Sequence, residues 1–134
     1  MPGGHRYGWS MAAPFLDACA LADLVRTGAA SPAELVDDAI GRIEALNPTL
    51  NAVIRPRFDE ARREAAGELP DGPFRGVPLV LKDLLCSTAG EELHEGMGVL
   101  KEARYVAGHD QELARRPGTA GPTPGRVRPR SGPL

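Results

Sequence analysis

One short apolar run constrains the fold of this chain more than any other feature of its sequence. None of the residues Val77–Leu81 has a polar side chain, so both faces of a strand formed by them would be apolar. A strand that is apolar on both faces is typical of a buried strand, parallel or central in its sheet, because other layers must cover both faces. Helical patterns surround this run, and such alternation predicts an α/β layer architecture.

Helix signals are clear before this strand. The sequence predicts a first helix with Asp17 as its N-cap and Gly28 at its end. Ser31–Glu34 is a capping box with proline at the first helical position, and it predicts a second helix that ends at Asn47-Pro48. The other elements expected are a strand over 50–54, a helix over 57–68, a loop over 86–98 and a last helix over 110–116.

Composition limits the classes of function. A chain of 134 residues has room for one domain, and a formal charge of −2 argues against a nucleic-acid or anionic-membrane surface. No apolar run approaches the roughly 18 residues of a membrane span. Asp17 and Asp23 interrupt the only apolar stretch near the start, which argues against a secretory signal. Two cysteines, Cys19 and Cys86, are too few for a disulfide scaffold, so a cytoplasmic location is expected.

The two ends differ in composition from the body. Residues 117–134 include nine Pro or Gly, three Arg and no acid. Such a segment buries too little apolar surface to offset its ordering entropy, so a disordered tail is predicted there. Residues 1–13 are Gly-rich and expected to be loose. The domain is therefore predicted over 14–116.

Lys82 is the candidate catalytic residue. Strand alternation places Lys82 with Val80 on one face and Leu81 on the other. A lysine at the end of a buried strand is expected to be partly desolvated, which favours its neutral amine, a general base for acyl transfer. Two structural readings stay open: a lysine that snorkels to water, or one paired with an acid at the strand end.

Five segments together resemble the amidase signature family. The element Gly76–Asp83, Gly-Val-Pro-Leu-Val-Leu-Lys-Asp, is similar to that family's strand carrying the catalytic lysine. Four segments before it look, in order and spacing, like the family's amino-terminal helices: Leu24–Gly28, Ser31–Leu35, Arg42–Pro48 and Leu50–Val53. The resemblance covers roughly residues 16–116.

The resemblance implies a mixed β-sheet wrapped by helices, and hydrolysis or transfer of amide bonds in small-molecule substrates. It also implies a Ser–cis-Ser–Lys triad without a metal or organic cofactor, in which Lys82 activates the nucleophilic serine through the cis-serine. Several positions are similar to the branch that includes cyclic-amide (6-aminohexanoate dimer) hydrolases: Glu95–Met97, Lys101-Glu102, Tyr105 and His109-Asp110.

The chain departs from the family at its serines and at residue 116. It has only Ser10, Ser31, Ser87 and Ser131, and none lies in the Gly/Ser-rich setting of the family's two serines. The likeness stops at Arg116, which suggests a truncated or frameshifted amidase gene whose product is inactive alone and only marginally stable. The alternative is a noncatalytic α/β piece with a binding or regulatory role, docked to a protein that supplies further strands, or a gene remnant. Whether the chain is itself an enzyme stays open.

Other chemistry-bearing residues have simpler readings. His94-Glu95 is no zinc motif, because Gly98 stands where a second histidine is needed. Cys86 could serve as a thiol nucleophile with His94 or His109 as its base, but nothing in the sequence orients such a pair. Asp83 is expected to order the loop after the strand. Two acidic pairs are predicted to be solvated surface: Asp37-Asp38 and Glu91-Glu92.

Overall fold

The computed structural model describes residues 16–112 and 114, together with the backbone of 125–127. Helices and strands alternate along the chain, which confirms the predicted α/β class. The elements are α1 (Ala18–Thr27), α2 (Pro32–Leu50), β1 (Val53–Pro56), α3 (Phe58–Ala66), β2 (Val80–Lys82), α4 (Gly98–Glu102) and β3 (Gly125–Val127).

The predicted caps of the first two helices are confirmed. The Asp17 carboxylate accepts a hydrogen bond from the Ala20 N–H at 2.8 Å, and Gly28 ends α1 in the left-handed conformation at φ 71°. At α2 the Ser31 hydroxyl accepts from the Glu34 N–H at 3.2 Å, while the Glu34 carboxylate accepts from the Ser31 N–H at 2.9 Å. Each contact satisfies a backbone donor that the first helical turn cannot pair internally.

The predicted end of α2 at Asn47-Pro48 is wrong. The helix continues to Leu50 with Pro48 inside its last turn, and the left-handed Asn51 ends it. The Asn47 side chain instead holds the next strand: its amide exchanges two hydrogen bonds with the backbone of Val53, both at 2.8 Å. Because the helix is longer, the strand starts at Val53 rather than at 50.

The sheet has three strands in the order β1-β3-β2. β3 pairs antiparallel with β1 and parallel with β2, so it lies at the centre. Gly125–Val127 form β3 within the tail that the sequence predicts to be disordered, while 117–124 and 128–134 lie outside the described residues. β2 pairs in parallel, as expected, but it is an edge of the described sheet, and Val80 is 37% exposed rather than buried on its face.

The core forms between α2 and α3. Val36, Ile40, Ala61 and Ala65 pack together and are almost fully buried. At the rim of this contact the Arg62 Nε lies 2.8 Å from the Asp37 carboxylate, so one member of the acidic pair predicted to be merely solvated joins the two helices. Leu79 packs against a second cluster, which lies behind β2 and consists of Leu81, Cys86 and Ala114.

Candidate active site

Lys82 ends β2 with its side chain in solvent. Leu81 is buried while Val80 and Lys82 are exposed, so the predicted alternation of faces is confirmed. Lys82 is exposed in the described structure, and its partial desolvation stays a prediction. Of the two structural readings, pairing with an acid does not occur within the described part of the chain. The amine of Lys82 is thus accessible to a polypeptide segment that packs on this face of β2.

Asp83 fixes the segment that follows the lysine. Its side chain is buried, with 2% of its surface exposed. One carboxylate oxygen accepts a hydrogen bond from the Glu95 N–H at 3.1 Å, and the other accepts from the His94 N–H at 3.5 Å. Glu95 adopts φ 50°, and its own carboxylate accepts from the Leu85 N–H at 3.4 Å. The prediction that Asp83 orders this loop is confirmed.

Ion pairs and a hydrogen bond join the same loop to β1, to the start of α3 and to the segment after α4. The Glu91 carboxylate lies 2.8 Å from the Arg57 Nε, with both side chains only 18% exposed. The Arg55 guanidinium donates to the Glu92 carbonyl at 2.7 Å, and the Glu92 carboxylate accepts from the Arg104 Nε at 3.1 Å. The hydrogen bond from Arg104 holds the pKa of Glu92 below its ordinary value. The prediction that Glu91-Glu92 is a solvated surface is therefore wrong.

Neither serine in the described residues is available as a nucleophile. Ser31 caps α2 through its hydroxyl. Ser87 is buried, its hydroxyl donates to the His109 carbonyl at 3.1 Å, and its N–H donates to the Gln111 side chain at 3.2 Å. Ser87 therefore closes the 87–111 loop rather than serving Lys82. Ser10 and Ser131 lie outside the described residues.

The other candidate ligands form no site. Cys86 is buried in the cluster behind β2, and the His94 Nε2 lies 3.6 Å from the Glu92 carboxylate. Within 16–112 and the other described positions, no three metal-ligating side chains come together. None of the helices described is both long and apolar enough to cross a bilayer.

Solved structures share this arrangement of helices and strands. A bacterial aryl acylamidase belonging to the amidase signature enzymes family aligns with a TM-score of 0.69 and 30% identity, over 84% of this chain and 25% of that chain. No family model matches the sequence. The chain belongs to the amidase signature family, as its sequence predicted.

Within that family the chain is similar to 6-aminohexanoate-cyclic-dimer hydrolases, as the residues after Lys82 also predicted. A solved structure of such a hydrolase aligns with a TM-score of 0.76 and 42% identity, over 84% of this chain and 23% of that one. The enzymes of Pseudomonas sp. (strain NK87) and Paenarthrobacter ureafaciens are each 45% identical over 105 residues, which is 78% of this chain and 21% of theirs. A putative amidase, AmiC, of Mycobacterium tuberculosis is 42% identical over 101 residues. The chain thus spans about a fifth of the length of the curated relatives it matches.

Proposed function

We propose that this chain provides the lysine-bearing part of an amide hydrolase, with Lys82 as the general base. The observation that carries the proposal is the placement of Lys82. It stands exposed at the end of β2, no described acid neutralises it, and the buried Asp83 holds the loop that follows. A base that must meet a serine from another segment has to be accessible and unpaired, and its backbone has to be fixed.

The proposed chemistry is acyl transfer. The neutral amine of Lys82 accepts, through a bridging serine, the proton of a nucleophilic serine hydroxyl. The serine oxygen then attacks the amide carbonyl, the carbon–nitrogen bond breaks, and the proton passes to the departing amine. Water hydrolyses the acyl-serine ester by the same proton path. We propose a small-molecule amide as the substrate, because the chain is similar to an enzyme named for a cyclic dimer of 6-aminohexanoate.

We further propose that the 134-residue chain alone does not hydrolyse amides. Ser31 and Ser87, the two serines in the described residues, are both committed to structural hydrogen bonds, so neither is placed to act as the nucleophile. Activity therefore needs a segment that supplies serines to Lys82. We also propose a cytoplasmic location, because Cys19 and Cys86 are both free.

A noncatalytic binding role is the second candidate. One observation favours it: both ladders of the sheet run through the three residues of β3, so the sheet depends on a single short segment that another polypeptide strand could replace. In this reading Lys82 is only an exposed lysine at a strand end.

A chimeric enzyme separates the two candidates. The 105 matched residues of this chain replace their counterparts in the Paenarthrobacter ureafaciens hydrolase, and hydrolysis of the cyclic dimer is measured. We expect a folded, active chimera in which Lys82→Ala lowers kcat by roughly 100- to 10,000-fold, the usual contribution of a general base. Lys101→Ala, at an exposed position in α4, is the matched control and should keep full activity.

Two outcomes count against the catalytic reading. One is a Lys82→Ala chimera that retains activity. The other is a folded chimera that is inactive with Lys82 intact, which favours the binding role. Ser87→Ala should leave kcat unchanged, because its hydroxyl serves the His109 carbonyl.

A further inference from the structure

Arg55 connects β1 to the loop that follows Lys82. Its guanidinium donates a hydrogen bond to the Glu92 carbonyl at 2.7 Å, and a second guanidinium nitrogen lies 3.9 Å from the Glu91 carboxylate. The side chains of Arg55 and Glu91 are 31% and 18% exposed, so water and salt screen this contact only in part. Because the acceptor at 2.7 Å is a backbone carbonyl, the hydrogen bond fixes the main chain of the loop.

A bulge in β1 aims the Arg55 side chain at this loop. Val53 pairs with Val127 and Arg55 pairs with Arg126, so two steps along β1 correspond to one step along β3. In a regular strand Val53 and Arg55 would lie on the same face. A bulge changes the direction of the side chains that follow it. This explains how Val53 is buried in the core while Arg55 reaches the loop.

The same loop supports the backbone of Lys82 through Asp83. The Glu95 N–H, three residues after the carbonyl that Arg55 binds, donates to the Asp83 carboxylate at 3.1 Å. Asp83 is buried and directly follows Lys82 in the chain. A continuous set of contacts therefore leads from β1 through the loop to the lysine. Such support matters for a catalytic group, because a displacement of about 1 Å can lower a rate by about 100-fold.

We propose that Arg55 is a positioning residue for Lys82, which it orders through the 91–95 loop without contact with the reacting atoms. This inference rests on the proposed function of Lys82. Without the guanidinium the loop is loosened rather than released, because Arg57 still holds the Glu91 carboxylate at 2.8 Å. The amine of Lys82 then spends less time in the geometry for proton transfer. The loss concerns the transition state and not substrate binding, so kcat falls while KM stays nearly unchanged.

Kinetics of the chimera with the Paenarthrobacter ureafaciens hydrolase test the positioning role. Arg55→Gln should lower kcat for the cyclic dimer by about 10- to 100-fold and change KM by less than about threefold. Arg55→Lys keeps a cationic donor and should lower kcat less. Arg63→Gln is the matched control and should keep full activity, because Arg63 is 73% exposed and pairs with Glu60 of the same helix.

A double variant distinguishes positioning from a general structural role. In the Lys82→Ala chimera, Arg55→Gln should lower kcat no further, because residues that act through one another are not additive. An equal loss with and without Lys82 means that Arg55 only stabilises the fold, which overturns the proposal. If Arg55→Gln does not fold, Arg55→Lys decides by the same comparison.

Amide hydrogen exchange in the 134-residue chain separates this inference from the proposed function. Arg55→Gln should make the Glu95 amide exchange about tenfold faster or more, the effect of one lost hydrogen bond from a charged group. If Lys82→Ala leaves the chimera fully active, the proposed function fails, and this inference fails with it. If Lys82→Ala lowers kcat but Arg55→Gln changes neither kcat nor the exchange of the Glu95 amide, only the positioning role is overturned.

Discussion

Loss of the Asp83 carboxylate should release the loop after the candidate catalytic lysine. The carboxylate is 2% exposed and accepts from the N–H groups of Glu95 at 3.1 Å and His94 at 3.5 Å. A hydrogen bond to a charged group contributes about 1.5–3 kcal/mol, and the longer contact lies at the distance limit, so we count one bond for Asp83→Ala. At about 1.4 kcal/mol for each factor of ten, the Glu95 amide should exchange with solvent roughly 10- to 100-fold faster.

Amide hydrogen exchange followed by NMR measures this effect at the residue concerned. The amides of α2 serve as an internal reference and should exchange at unchanged rates. Asp83→Asn keeps a neutral acceptor and should give a smaller increase than Asp83→Ala. Asp71→Ala, at a side chain that is 96% exposed, is the matched control. An unchanged exchange rate of the Glu95 amide in Asp83→Ala would refute the role given to this carboxylate.

Three further predictions concern stability. Gly76→Ala should lower the temperature at which the helices unfold, followed by circular dichroism, because Gly76 has φ +80° and an added Cβ would lie 2.8 Å from Pro32 Cγ. Gly41→Ala, at an open position in α2, should raise that temperature, because alanine stabilises a helix by about 0.5–1 kcal/mol relative to glycine. Shifts in the same direction for both variants would contradict this prediction. Arg104 lowers the pKa of Glu92 in the folded protein. This pair therefore stabilises the fold at pH values above the ordinary pKa of a glutamate, and the stabilisation is lost as the pH falls through the lowered pKa of Glu92. Arg104→Gln should therefore raise the pKa of Glu92 in a carbon-13 NMR titration, whereas Arg26→Gln, which breaks only the exposed pair with Asp23, should not. Because both ladders depend on β3, the isolated chain should unfold over a broad temperature range, and a sharp calorimetric transition would argue otherwise.

Features that depend on neighbouring residues could be predicted from the sequence. The caps at Asp17, Gly28 and Ser31 use contacts within three or four residues, so the local pattern determines them. The alternation of faces in β2 follows from strand geometry alone. Lys82 was identified by the Gly76–Asp83 motif as well as by its charge at the end of an apolar run.

Features that depend on distant residues could not be predicted. Val127 of β3 pairs with Val53 of β1 and with Lys82 of β2. No periodic sequence pattern predicts pairing between residues so far apart in the chain, and the Pro/Gly-rich sequence around β3 is typical of disorder. The ion pair between Arg57 and Glu91 likewise joins two segments with no shared pattern. The exposure of Lys82 depends on what packs over β2, which an apolar sequence pattern does not specify.

Covalent labelling of serine tests the assignment of Lys82 most directly. A fluorophosphonate reacts with a serine whose hydroxyl a neighbouring base has activated, and intact-mass spectrometry counts the adducts. We expect no adduct on the 134-residue chain, one adduct on the chimera with the Paenarthrobacter ureafaciens hydrolase, and labelling at least about 100-fold slower in its Lys82→Ala variant. An adduct on the chain alone, or a labelling rate that Lys82→Ala leaves unchanged, would contradict the assignment of Lys82 as the base.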